Sequence, residues 1–226
     1  MIKLNELCKA ELNSKQIDEV IVSFDLKEIK LASKQAVAVD SNAFNDLLSL
    51  QLIDLSMNRI EIIEPLTFSR LHSLKHLTLS HNLLSSIPTG AFKELISLKE
   101  LDLSHNQIEL LDSSTFLNLS NLRKLYLASN QLTNLDSSTF IHLNNLRELY
   151  LNDNKLTAIH PRMLANLNNL FIVWLQNNQF DLIDLNMFKE LNLKILRLNN
   201  ENEIVFETKP KTVLKKENIC KSCLIN

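Results

Sequence analysis

The sequence predicts an α/β solenoid, a curved stack of short units. A parallel sheet lines its concave face, and short helical or irregular segments cover the convex face. Three observations carry this reading. Asparagine stands at Asn58, Asn82, Asn106, Asn130, Asn154 and Asn178, 24 residues apart each time. Leucines keep fixed offsets before each, as in 98-LKELDLSHNQIELL-111 and 122-LRKLYLASNQLTNL-135. An apolar residue, nearly always phenylalanine, falls ten residues after each asparagine position. Self-similarity at one fixed period means units that stack and share a core, which favours an extended binding surface over a catalytic pocket.

Composition supports one continuous core. The 226 residues are 45% hydrophobic with one glycine and four prolines, which excludes collagen-like, mucin-like and linker-rich classes. With 24 Lys+Arg against 26 Asp+Glu, no general attraction to nucleic acid or membrane follows. No apolar run reaches the roughly 20 residues that span a bilayer. Residues 1–15 show no apolar signal-peptide core, so either the numbering starts on a mature or partial chain or the protein stays inside the cell. Cys8, Cys220 and Cys223 form an odd set that leaves the compartment open. Thiols divided between the two ends of a long stack cannot converge on zinc, and no metal or cofactor is expected.

Taken in order, residues 1–25 read as an N-terminal cap. Ile17, Val20, Ile21 and Phe24 recur at helical spacing behind Asn13 and Ser14, which can cap a helix start. Residues 26–205 read as the solenoid, about eight units long. Its first unit is degenerate: Leu26, Ile29 and Leu31 fit the strand, while Lys34 takes the asparagine position. In the following units L-x-x-L-x-L alternates apolar and polar residues, as a short strand with one buried face should. Around Asn106 the buried set is Leu98, Leu101, Leu103, Ile108 and Leu111, with Asp102 and Ser104 pointing the other way. Near the end one residue is missing after Leu191, so Leu193, Leu196 and Leu198 come early and Glu201 takes the asparagine position. Residues 206–226 read as a tail or partial cap.

The asparagines have a structural task. Where the chain turns inward after each strand, backbone groups lose their sheet partners, and a side-chain amide offers two donors and an acceptor. The phenylalanines Phe44, Phe68, Phe92, Phe116, Phe140 and Phe188, with Leu164 interrupting the column, form an apolar spine on the outer side of the core. The leucines that follow them mark a short helix or 3-10 turn on the convex side.

The concave face is where a partner would touch. The outward residue between the last two leucines of each strand is Lys30, Asp54, Thr78, Asp102, Tyr126, Tyr150, Trp174 and Arg197 in turn. Three consecutive aromatics on an outward column are not required by the fold, and such residues commonly anchor interfaces. Cross-strand stacking that stabilises the sheet is the plainer explanation, and the two are compatible. Neighbouring columns add Lys124, Glu148, Ile172 and Ile195 on one side and Ala128, Asn152, Gln176 and Asn199 on the other.

Weaker signals complete the reading. His76, His81 and His105 make a loose cluster with the chemistry of a pH sensor or metal site, although exposed histidines need no such role. Asp54 and Asp102 lie two units apart on an open surface, and the phosphate-loop, nucleophile-elbow and zinc-protease motifs are missing, so no enzyme activity is expected. Asn118-Leu119-Ser120 is an N-glycosylation acceptor. The last four residues imitate a prenylation box with an unsuitable terminal Asn.

The pattern L-x-x-L-x-L-x-x-N-x-I/L-x-x-L-x-x-x-x-F-x-x-L at 24 residues resembles the typical class of leucine-rich repeats. The resemblance is to extracellular Toll-like, Slit-like and insect immune proteins of that family. It implies a non-catalytic binding module whose contact columns fall on Tyr126, Tyr150, Ile172, Trp174 and Arg197. A protein ligand, bound outside the cell, is the expected partner. The alternatives are a cytoplasmic scaffold using the same face, or a glycan- or lipid-recognition protein with a deep apolar pocket near Trp174. Secreted relatives carry multi-cysteine caps, from which this chain departs.

Overall fold

The computed structural model describes residues 26–180, 183–189 and 191–198 in full, and the backbone of 11–12 and 203–205. The expected N-terminal helix, the three cysteines, the prenylation-like ending and Glu201 lie outside the described residues.

The strands are short because each unit has room for one buried leucine between two outward residues. They are β1 (Glu11–Leu12), β2 (Glu28–Lys30), β3 (Ala38–Val39), β4 (Leu52–Asp54), β5 (His76–Thr78) and β6 (Glu100–Asp102). There follow β7 (Lys124–Tyr126), β8 (Glu148–Tyr150), β9 (Ile172–Trp174), β10 (Ile195–Arg197) and β11 (Glu203–Val205). Among the described residues the main sheet runs β11-β10-β9-β8-β7-β6-β5-β4-β2. Every contact in it is parallel except β10 with β11, where the chain reverses direction.

Register equals one repeat. His76 sits opposite Leu52 and Glu100, Leu101 opposite Leu77 and Leu125. The residue missing after Leu191 is absorbed before β10, since Ile195 still pairs with Ile172 and Arg197 with Trp174. The degenerate first unit joins the stack too, with Ile29 opposite Ile53. A second, two-stranded sheet pairs β1 with β3, and sequence periodicity gave no sign of it.

One apolar core runs the length of the solenoid. Leu77, Leu101, Leu125, Leu149 and Val173, the strand centres, are fully buried, each contributing about 1.5–3 kcal/mol of transfer free energy. The phenylalanine spine is buried from Phe44 to Phe140, and Leu164 and Phe188 keep the column apolar. Neighbouring rings stack, with centroids 5.9 Å apart for Phe44–Phe68, 6.2 Å for Phe68–Phe92 and 5.9 Å for Phe116–Phe140.

The convex side is made mostly of turns, with 3-10 helix at Pro161–Met163 and Leu185–Phe188. These helical pieces lie in the turn entering the spine position, not in the leucine stretch after it. An acidic residue often opens that turn. The amide and hydroxyl of Ser114 both donate to Asp112, and Ser138 does the same for Asp136, which holds both carboxyls below the usual range.

The asparagine column is an interlocked ladder. Asn106 Nδ2 donates to the carbonyls of Leu79, Leu103 and Ser104 at 3.0, 3.1 and 3.2 Å, and Oδ1 accepts from the Leu84 amide at 3.1 Å. Leu103 O in turn accepts from both Asn106 and Asn130, and Leu127 O from Asn130 and Asn154. Asn58, Asn82 and Asn178 repeat the arrangement. Just before each ladder asparagine the backbone goes left-handed without glycine, at Met57, His81, His105, Ser129, Asp153 and Asn177, with φ between 53° and 57°. That conformation turns the chain inward and aims each amide at the next unit, as in His105 N–H to Ala128 O at 2.9 Å.

Candidate binding surface on the concave face

Outward residues of β6 to β10 stand in one cross-strand column: Asp102 beside Tyr126, then Tyr150, Trp174 and Arg197. The Tyr126 and Tyr150 rings lie parallel, with centroids 4.7 Å apart and planes 8° apart. Tyr150 meets Trp174 edge-on at 5.0 Å and 79°, and the Arg197 guanidinium lies 4.5 Å over the indole. All four side chains are half-buried, and Ile172 and Ile195 flank them at the same depth.

Burial is the main reason both phenols hold their protons well above the usual tyrosine range. Nearby carboxylates add to it, chiefly Glu100 for Tyr126. For Tyr150 the addition comes from Glu148, which accepts the phenol proton at 2.9 Å. Glu148 also takes Lys124 Nζ at 3.4 Å. The phenols therefore act as neutral donors and apolar faces at physiological pH.

Two predicted column members behave differently from expectation. Asn152 and Gln176 are buried, 9% and 6% exposed, because the chain has begun its inward turn at that position. Asn152 Nδ2 is held by Asp153, while Asn152 Oδ1, Gln176 Oε1 and Trp174 Nε1 are buried and have no hydrogen-bond partner among the described residues. All three atoms fall within two adjacent units, beneath the aromatic column. Strict alternation hid this, although amides in successive units were a visible signal.

The other half of the concave face is charged. Asp54 is held by Ser56 and Asp102 by Ser104, through hydroxyl contacts of 2.7 and 2.6 Å. With Lys30, His76, Thr78 and Glu100 they line a shallow cavity of about 330 Å³. Leu52, Ile53 and Leu77 complete its lining, and it lies away from Trp174.

The histidines divide. His81 and His105 stack with centroids 4.0 Å apart, whereas His76 turns to Glu100 at 3.3 Å. Among the described residues no three metal-ligating side chains come together, and no helix is long and apolar enough to cross a membrane. Asn118 is exposed on the convex side with φ 69°, and its amide donates to Lys93 O at 3.2 Å.

Sequence reading also missed two further columns. Asn121, Asn145, Asn169 and Asn192 donate to carbonyls one unit earlier, forming an outer amide ladder. Lys75, Lys99, Arg123 and Arg147 form a basic column along one rim, at the same 24-residue period as the asparagines.

A leucine rich repeat model matches residues 25–84, 73–132 and 120–180. No curated protein matches the chain. Among solved structures, it resembles a leucine-rich repeat protein of Leptospira interrogans at 30% identity and a TM-score of 0.73, over 82% of this chain and 45% of that one. It also resembles TLR13, solved in complex with single-stranded RNA, at 29% identity and a TM-score of 0.66, over 83% of this chain and 30% of TLR13. The chain therefore spans less than half the length of either. With its 24-residue register, amide ladder and parallel concave sheet, this chain belongs to the leucine-rich repeat family.

Proposed function

We propose that the chain is a non-catalytic recognition module that binds a protein partner outside the cell. The contact surface is the concave patch of Tyr126, Tyr150, Ile172, Trp174 and Arg197. The carrying observation is the run of half-buried aromatics Tyr126, Tyr150 and Trp174 on the concave face, with the Arg197 guanidinium over the indole. Aromatic residues and arginine flanked by isoleucines are the side chains that most often anchor protein interfaces. The TLR13 complex makes single-stranded RNA the competing ligand. Against it stand ring faces already occupied within the column and the carboxylates of Asp102, Glu100 and Glu148 close by. An extracellular setting is supported by the resemblance of the 24-residue pattern to extracellular repeat proteins and by the exposed Asn118 acceptor.

The test uses wild type and the Tyr150→Ala/Trp174→Ala variant as baits in native extracellular fluid and in cytosol. The expected result is a protein captured from extracellular fluid by wild type. Its affinity for the variant should fall at least about 30-fold, or about 2 kcal/mol, with the variant still fully folded at the assay temperature. Trp174 is the single tryptophan, so its fluorescence should shift when the purified partner binds. Equal capture by both baits overturns the site, and a partner confined to cytosol overturns the location.

A further inference from the structure

Lys75, Lys99, Arg123 and Arg147 occupy one position in four successive units, immediately before β5 to β8. Their backbones are locked together: the amides of Lys99, Arg123 and Arg147 each donate to the carbonyl of the preceding member at 2.8 Å. The column is therefore an extension of the sheet ladder, with its members about 4.8 Å apart at the backbone. Lys27 and Lys194 carry it further at either end.

Like charges placed opposite one another across a ladder oppose folding. The adjacent column avoids this, because Glu100, Lys124 and Glu148 alternate in sign and Lys124 pairs with Glu148. The rim column does not. Among the described residues none of Lys75, Lys99, Arg123 and Arg147 makes an ion pair, and Lys75 donates only to the neutral Gln51 amide at 2.8 Å. Arg123 and Arg147 are exposed, and the two lysines half-exposed. A chain of net charge −2 has no surplus of cations that would make such a row a by-product of composition.

We infer that this rim is a docking track for a linear sulfated polysaccharide. The row offers regularly spaced charges to a polymer carrying regularly spaced anions, and the arginine forks match the paired oxygens of a sulfate. Single-stranded nucleic acid would also need free aromatic faces for its bases. Phe171, the aromatic member of this column, is covered by Lys194 at 5.9 Å, and Glu100 and Glu148 separate the rim from the tyrosines. The track is separate from the concave patch and does not depend on its having a protein partner.

The experiment measures binding of heparin across a salt series. Wild type should bind, with affinity falling linearly in log salt. Lys99→Gln/Arg123→Gln/Arg147→Gln should bind at least 10-fold more weakly, lower the salt slope by about 2–3, and melt no earlier than wild type. A control triple on other surfaces, Lys93→Gln/Lys155→Gln/Lys189→Gln, removes equal charge and should keep most of the affinity. Equal loss in the two triples overturns the track, as does failure of wild type to bind. Tighter binding of size-matched single-stranded RNA than of heparin, lost in the rim triple, overturns the polysaccharide assignment.

Discussion

Trp174 stands between two different partners, with the Tyr150 ring meeting it edge-on at 5.0 Å and the Arg197 guanidinium 4.5 Å over the indole. Ring-to-ring contacts of this kind add about 0.5–1.5 kcal/mol beyond burial, so the column stiffens the sheet as well as presenting a surface. Rigidity is useful for recognition, since aromatics already fixed in place lose little freedom when a partner arrives.

The first prediction concerns the phenols. Tyr126 and Tyr150 are the chain's two tyrosines, so tyrosinate absorbance reports this patch alone. In the native protein ionisation should begin well above the ordinary value near 10, and return to it in denaturant. Below pH 10 both states are protonated and stability is at its full value. Above it the unfolded chain ionises first, so stability should fall as pH rises until the native phenols ionise as well. Phe at both positions should flatten that alkaline fall. Native phenols titrating near 10 would show that the column is not packed as described.

The second concerns the amide ladder. Asn106→Ala leaves Leu79 O and Leu103 O with one asparagine each, Asn82 and Asn130, but strands the buried Leu84 amide. A loss of about 2–3 kcal/mol in urea unfolding is expected. Asn106→Asp should cost at least as much at neutral pH, because an acceptor-only carboxylate would face three carbonyl oxygens. Its penalty should shrink as pH falls and the carboxyl gains a proton to donate. An Asp variant as stable as wild type at neutral pH would contradict the hydrogen-bond roles given to Asn106.

The ladder and the spine were legible in sequence because both repeat at one period and each residue type has a single physical use there. Tyr126, Tyr150 and Trp174 were legible as outward residues from alternation alone. Alternation failed for Asn152 and Gln176, since it assumes a straight strand and the chain has already begun to turn. The turn-opening acids Asp112 and Asp136 went unread because their partners, Ser114 and Ser138, are only two residues away and leave no long-range pattern. The rim cations follow the same period as the asparagines, but a net charge near zero concealed how unevenly the charge is laid out. Pairing of Glu11–Leu12 with Ala38–Val39 had no periodic signature at all.

A third prediction comes from two buried hydroxyls. Thr115 and Thr139 Oγ1 have no hydrogen-bond partner among the described residues, although both side chains are almost wholly buried. Thr67, two units before Thr115 in the stack, accepts from the Glu64 amide at 3.2 Å. Thr115→Val and Thr139→Val should each stabilise the fold by about 1 kcal/mol, while Thr67→Val should destabilise it by a similar amount. Equal effects at all three sites in denaturant titrations would mean the hydroxyls are equivalently bonded in solution.

The last prediction tests the left-handed turn that precedes each ladder asparagine. Ser129 has φ 55°, and its amide donates to Asn152 O at 3.0 Å, so the conformation is fixed by the next unit. A residue with Cβ pays for that geometry, and a β-branched one clashes most. Ser129→Val should therefore lower stability by about 1–2 kcal/mol. Glycine removes the clash but adds freedom to the unfolded chain, so Ser129→Gly should fall within about 0.5 kcal/mol of wild type. Gly90, at φ 79°, meets nothing within 4 Å of an added Cβ, so a Gly90→Val change there should cost through backbone strain alone. If Val is tolerated at both positions in urea titrations, the turns are not left-handed in solution. The inward course of the chain, which buries Asn130 and Asn152, would then need another cause.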